Sequence, residues 1–371
     1  MRAQEYVDPN PEYWEDYNNL QYVKHALIRE YLNGWLPKLG LWAGRALYID
    51  THAGRGRHET GELGSPLIAI ETFLNHRARD RILATSEIRF VFIERDKGSA
   101  ELLEGEVETL KPFPPGTAVE VYPGDCAEIL GAALDQLEKS TQRIAPAFIF
   151  VDPYGFKVPG SLLKKLMQYE RVELFVNVMW RHLYMGICNA RKYAGWNDTL
   201  EWILDDPNWS QYISCDDFDI CADQAISFLQ RQLSAKWVTT VRMLGSNNAT
   251  EYILAHFTNH DDGRDLMKEV RWKVCPSYSG VFAASKARSP DQLTLIGPEP
   301  DRSQLRHWVL GVLATHPTRW RELLDQARST DWQAKHVNRA VRALRSEGLI
   351  DPSDFTGRFS QKSNPLLSLV P

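Results

Sequence analysis

The chain has 371 residues, 43% of them hydrophobic and 25% charged, which excludes disordered and fibrous proteins and allows a large α/β domain with a smaller second one. Its net charge of -5 hides an asymmetry: residues 301–371 hold 11 lysines and arginines against 7 acids, and the rest hold 32 against 41, so the C-terminal segment suits nucleic acid better than the body does. The first ten residues hold no signal-peptide core, no apolar run approaches the ~20 residues of a membrane span, and the five cysteines lack C-x-x-C spacing, so the expectation is a cytoplasmic protein with reduced thiols and no membrane, disulfide or metal site.

Leu20, Val23, Leu27, Tyr31 and Leu32 lie near helical spacing and predict an amphipathic helix over 19–36. A buried strand, Ala46–Asp50, then breaks into a long glycine loop (Gly54, Gly56, Gly61, Gly64). Ser65-Pro66 offers an N-cap and first turn for a helix bearing Leu67, Ile70, Phe73 and Leu74. Strands follow at 88–96, with Glu94 as the strand-end acid, at 118–122, running into Asp125, at 148–152, ending in Asp152, and at 174–178, with Ser161 read as the cap of the helix before the last. The stretch 182–232 is helical, acidic and tryptophan-rich and reads as an insertion whose tryptophans pack a core and whose acids argue against a nucleic-acid surface. Runs 237–244 and 251–257 predict an antiparallel hairpin. Parallel strands closed by such a hairpin follow the ordering of the class I methyltransferases, so the expected fold is α/β, Rossmann-like and mostly parallel. The domains read as 1–275, a Ser/Pro/Gly-rich linker 276–300, and 301–371. In the last, helices around Leu305–Leu313, Trp320–Arg328 and Val337–Leu344, the third capped by Asp331 and ended by Gly348, precede a β-wing over 349–369, a winged-helix outline.

Two motifs carry chemistry. In Asp50-Thr-His-Ala-Gly-Arg-Gly56 the glycines allow close approach to a bound nucleotide. A dinucleotide fingerprint is disfavoured, because Glu59 stands where the third glycine belongs and Glu94 lies 38 residues past Gly56. S-adenosylmethionine needs glycines at its amino-acid part, an acid after strand two for the ribose and a polar residue after strand three for adenine, and Gly54, Gly56, Glu94 and Asp125 stand in that order. Asp50 and His52 flank the glycines, His52 as a hydrogen-bonder that fixes the loop, while Arg55, Arg57 and His58 form a cationic cluster that either meets phosphate or is an ordinary exposed loop. Asp152-Pro153-Tyr154-Gly155 is the catalytic candidate: in amino-group methyltransferases an acid, a proline and an aromatic at this strand end accept hydrogen bonds from an exocyclic amine and stack on its base. Asp152 could instead cap the following turn.

The chain resembles the three-Cys-motif partner proteins through Lys24–Trp35, Ile49–Gly56, Gly64–Pro66, Phe92–Asp96, Val151–Gly155 and Met267–Trp272, over roughly residues 20–275. The resemblance implies a class I methyltransferase fold with a C-terminal winged helix and a partner bearing three cysteines. Lys24, at the head of the first stretch, joins the cofactor-binding set. Asp50–Gly56 is also similar to the cofactor loop of a bacterial ribosomal-RNA adenine-N6 methyltransferase family, whose catalytic Asp-Pro-Pro-Tyr corresponds to the Asp152 segment, though the second proline is missing here. The expectation is therefore an S-adenosylmethionine-dependent enzyme that methylates an amino group of a nucleic-acid base. The alternative is a non-catalytic nucleoside-binding module that holds DNA or a protein partner through its winged helix. Arg339, Arg342 and Arg345, at spacing three on the last helix, are the candidate phosphate contacts.

Overall fold

The structure is a computed structural model that describes residues 14, 15, 17–140, 143–155, 157–190, 192–214, 217–275, 280–283, 302–351 and 363–370. It divides into two compact units, 1–266 with 281–293, and 267–280 with 294–371.

The first unit is built on one eight-stranded sheet. Its strands are β1 (Arg45–Asp50), β2 (Glu87–Glu94), β3 (Thr117–Pro123), β4 (Ala147–Val151), β5 (Val172–Val178), β6 (Trp237–Leu244), β7 (Thr250–Thr258) and β8 (Val281–Ala283), in the order β3-β2-β1-β4-β5-β7-β6-β8. The first five in that order are parallel, β7 runs antiparallel to both β5 and β6, and β8 is parallel to β6. This is the methyltransferase-like α/β fold expected from the sequence. β8 and Gly280 before it fall inside the segment read as a linker, the rest of which lies outside the described residues. The first ten residues and Cys215 lie outside them too.

Every residue of β4 and β5 is buried, as in parallel strands covered on both faces. On one face Tyr48, Phe90, Phe148 and Phe175 form an aromatic layer, and Tyr31 of helix α1 (Asn19–Gly40) meets Phe148 with ring centroids 4.8 Å apart. On the other face Ile49, Ile149, Val151 and Leu174 pack with Leu130 of α5 (Cys126–Lys139) and Leu162 and Leu166 of α6 (Gly160–Met167). Between β1 and α5 lie α2 (Ser65–Leu74), α3 (Arg79–Leu83) and α4 (Lys97–Thr109). Asp50 pairs in register with Phe92 and Phe150, so the acids at the ends of β1, β2 and β4 arrive at one edge of the sheet. The insertion between β5 and β6 consists of α7 (Trp180–Ala190), α8 (Ala194–Leu204) and α9 (Phe218–Gln232), with a turn of 3-10 helix at Trp209–Gln211.

Two predicted caps in this unit are displaced by one or two residues. α2 starts at Ser65 with Gly64 as its N-cap, so Pro66 falls in the first turn as expected while Ser65 is freed for another contact. Pro159, not Ser161, precedes the first turn of α6. In both, the helix begins earlier than the polar side chain suggests.

Helix α10 (Asp261–Val274) runs from one unit into the other, its residues from Met267 onward belonging to the second. That unit holds α11 (Ser303–Thr315), α12 (Trp320–Gln326), α13 (Ala334–Ser346) and a small antiparallel sheet of order β10-β11-β9, formed by β9 (Thr318–Arg319), β10 (Ile350–Asp351) and β11 (Leu366–Leu369). Leu305, Val309, Leu313, Val337, Val341 and Leu344 make its core, joined by Trp272, which stacks on Trp332 at 5.6 Å. Residues 352–362, the middle of the expected wing, lie outside the described residues. Gly348, at φ +75, closes α13 with Leu349 N–H donating to Leu344 O and Gly348 N–H to Arg345 O. Gln333 rather than Asp331 stands at the start of this helix, because the Asp331 carboxylate pairs with the buried Arg271 at 3.1 Å.

Candidate active site

Five parallel strands direct their C-terminal ends into one cavity of 790 Å³, the crevice where open α/β sheets hold ligands. Its wall includes Thr51 and His52 after β1, Glu94 at the end of β2, Asp125 after β3, Asp152 after β4 and Asn177 in β5. Lys24 reaches in from α1, whose start is fixed by a reciprocal cap: Asn18 accepts from Leu20 N–H and Gln21 N–H, and Gln21 Oε1 accepts from Asn18 N–H at 2.9 Å.

The glycine loop and Glu94 define one side. Glu94 Oε2 accepts from Gly54 N–H at 2.7 Å and Oε1 from Asp96 N–H at 2.8 Å. Burial pushes its carboxyl up, and these two donors oppose the shift. Each oxygen keeps a lone pair beyond these bonds. Gly54 has φ +64, and a Cβ there would lie 2.4 Å from the Trp14 ring; Gly56 has φ +90, and a Cβ there would meet Leu103 at 2.9 Å. The glycines are therefore required by left-handed backbone and by the protein's own packing. Arg55 lies over the Trp14 ring at 5.0 Å and Arg57 pairs with Glu106 at 3.0 Å. Asp125 caps α5, its Oδ1 accepting from Ala127 N–H at 2.8 Å.

The other side centres on Asp152. Oδ2 accepts from Lys24 Nζ at 2.5 Å and Oδ1 from Asn177 Nδ2 at 2.5 Å, and the Lys24 and Asp152 side chains are 4% and 15% exposed. Burial alone would raise the Asp152 carboxyl, but the Lys24 ammonium and the Asn177 amide outweigh it and hold the group below the usual carboxylate range. Lys24, expected among cofactor contacts, pairs with Asp152, the expected catalytic acid. Pro153 is buried, and Tyr154 stands 74% exposed with its ring edge-on to His182.

The cavity wall does not include Asp50 or Gly56. Asp50 lies behind it, fully buried, its Oδ1 accepting from His52 N–H at 3.2 Å; burial pushes its carboxyl up to about 7, with the Ser65 side chain opposing the shift. His52 bonds through Nδ1 to the Thr51 hydroxyl at 2.8 Å, and burial drops it to about 4, so it is neutral at physiological pH. His25 and His58 are likewise held neutral by burial and by the Lys24 charge. Arg339, Arg342 and Arg345 lie on α13 of the second unit, the first two exposed, opposite a buried stripe of Val337, Val341 and Leu344.

The wall residues that the sequence reading missed include Asn18, Asn177, Trp202 and Tyr252. Asn177 could have been suspected, being a polar residue in an apolar strand. Trp202 carried no signal, since nothing local separates it from the other tryptophans of the insertion.

Neither a scan against protein-family models nor a search of curated proteins finds a match to this chain. Among solved structures it is similar to the protein LPL1258 from Legionella pneumophila, at 16% identity and a TM-score of 0.39, over 65% of this chain and 85% of that one. It is also similar to Trm1 from Pyrococcus horikoshii, solved as a complex with S-adenosyl-L-methionine, at 14% identity and a TM-score of 0.39, over 72% of this chain and 61% of that one. Likenesses so distant carry no argument about activity, and the fold is read from the strand order itself. Among the described residues no group of three or more His, Cys, Asp or Glu could hold a metal ion, and no helix is long and apolar enough to cross a membrane.

Proposed function

We propose that this protein is an S-adenosylmethionine-dependent methyltransferase whose acceptor is an amino group of a nucleic-acid base. One observation carries the reading: a single cavity at the C-terminal edge of a β3-β2-β1-β4-β5-β7-β6 sheet holds Gly54, Glu94 and Asp125 on one side and the Lys24–Asp152–Asn177 cluster on the other. Its volume lies in the upper part of the range for small-molecule sites and leaves room for cofactor and acceptor together.

The donor set fits the cofactor. Glu94 retains lone pairs for ribose hydroxyls, and Asp125 and the first turn of α5 offer polar groups beside it. When bound, the cofactor supplies an electrophilic methyl group. The chain's own contribution is position and charge: the Asp152 carboxylate, ionised by Lys24 and oriented by Asn177, still has lone pairs with which to accept an amine N–H and hold the nitrogen in line. The exposed arginines of α13, in a unit we read as a winged helix, support a nucleic-acid acceptor through phosphate contacts. A partner protein bearing three cysteines remains the other occupant that the sequence resemblance suggests for that unit.

Calorimetric titration tests the cofactor. S-adenosylmethionine is expected to bind with NAD much weaker, and no detectable binding at millimolar ligand refutes the reading. Asp152→Asn separates enzyme from binding module: cofactor affinity is expected to stay and methyl transfer to vanish, and equal loss of both assigns Asp152 to structure alone.

A further inference from the structure

Resting on that reading, we propose that Trp202, from the helical insertion, is a substrate-recognition residue that forms an aromatic wall with Tyr154 for a base drawn out of its stack. Both residues line the cavity that contains Asp152, and they are 49% and 74% exposed, while Leu200, Ile203 and Leu204 on the same helix are buried. Two exposed aromatic rings lining one cavity with a cation, the exposed Lys157, suit a planar base and its phosphate.

The insertion is anchored where it must be for this role. Gly160, at the start of α6, has no room for a side chain: a Cβ there would lie 2.5 Å from Ile203 O and 3.0 Å from Asp205. That close approach seats the end of α8, one residue past Trp202, against the loop that follows Asp152. Lys164 of α6 pairs with Asp205 at 3.0 Å, and Asp205 takes the left-handed conformation, φ 54, that ends the helix. Gln232 donates to Asp206 at 2.8 Å. Of the acids around Trp202, Asp205 is thus paired with a cation, Asp206 is held by an amide, and Glu201 accepts from Asn197 at 2.5 Å.

The test is a cycle on the full-length protein with saturating S-adenosylhomocysteine. Affinity is measured for a single-stranded oligonucleotide containing one adenine and for the same strand with an abasic site there. The wild type is expected to prefer the base by about 5- to 150-fold, the range of one base–aromatic stack. Trp202→Ala is expected to remove most of that preference and Trp202→Phe to restore most of it, with S-adenosylhomocysteine affinity unchanged in both. A preference that survives in Trp202→Ala, a wild type that does not distinguish the strands, or equal loss of cofactor affinity overturns the assignment. The cofactor titration of the wild type is read separately: no binding there refutes the methyltransferase reading and this assignment together, whereas the other outcomes refute this assignment alone.

Discussion

Replacing Lys24 by Met isolates the central electrostatic feature of the site. The Lys24 and Asp152 side chains are 4% and 15% exposed, so the pair is barely screened by solvent, and losing the cation leaves Asp152 with the Asn177 amide as its remaining side-chain donor. Breaking one partner of a buried pair costs about 3–5 kcal/mol, most of it the penalty of an uncompensated charge. The pH dependence has a definite sign. In the wild type the Asp152 carboxyl is lowered, so its contribution is present above the unfolded carboxyl value and lost as pH falls. In Lys24→Met the same carboxyl is raised by burial, so stability is instead lost as pH rises. The gap between variant and wild type therefore widens from pH 5 to pH 8. Hydrogen exchange over β4 and β5 reads this, because those strands report opening of the first unit independently of the second. The double variant Lys24→Met/Asp152→Asn removes both charges and is expected to recover most of the loss. A single variant within about 1 kcal/mol of wild type, or a double variant no more stable than the single, refutes the argument.

Asp50→Asn addresses a fully buried acid behind the cavity wall: a carboxyl raised to about 7 loses stability as pH rises from the ordinary carboxylate range to 7, so the variant is expected to abolish a decline of about 2–3 kcal/mol between pH 5 and 8, measured by the same exchange protocol. Glu94→Gln keeps the acceptor for one backbone N–H but removes the charge, and is expected to weaken S-adenosylmethionine by about 1.5–3 kcal/mol in a calorimetric titration; unchanged affinity removes Glu94 from the cofactor site. Replacing Arg339, Arg342 and Arg345 together by Ala in the full chain is expected to flatten the logarithmic salt dependence of duplex binding by about 2–3 units, and an unchanged slope refutes their role as phosphate contacts. Trp272→Ala is expected to destabilise the second unit by about 3–5 kcal/mol, seen as lost exchange protection in α11 and α13 with β4 unaffected.

The sheet was legible because its signal is local. Apolar runs that stop at Asp50, Glu94 and Asp152 announce buried parallel strands and the edge at which they end, and the register of β1 against β2 and β4 brings those ends together. Caps were less so. Ser65, Ser161 and Asp331 all look like capping residues, yet a cap depends on which backbone angle turns first, and Gly64, Pro159 and Gln333 turn earlier or later. Asp331 had a stronger suitor in Arg271, 60 residues before it in the chain.

The site divides along the same line. Glycines and strand-end acids are short-range features and were found, although the space beside Gly54 and Gly56 is filled by Trp14 and Leu103. What could not be read were the partners of Asp152: Lys24 lies 128 residues from it, and Asn177 lies 25 from it. These meet because α1 crosses the aromatic face of the sheet at Tyr31 and Phe148 while β5 lies beside β4, facts of topology that a lysine in an amphipathic helix does not carry. An acid held ionised by a buried lysine and oriented by an amide is a different instrument from an acid alone. Its charge is fixed by its partners, so its strength as a hydrogen-bond acceptor does not vary with pH near neutrality. Asp50, behind the wall, is a carboxyl pushed up to about 7, and a change in activity near pH 7 that disappears in Asp50→Asn would trace to that residue rather than to Asp152.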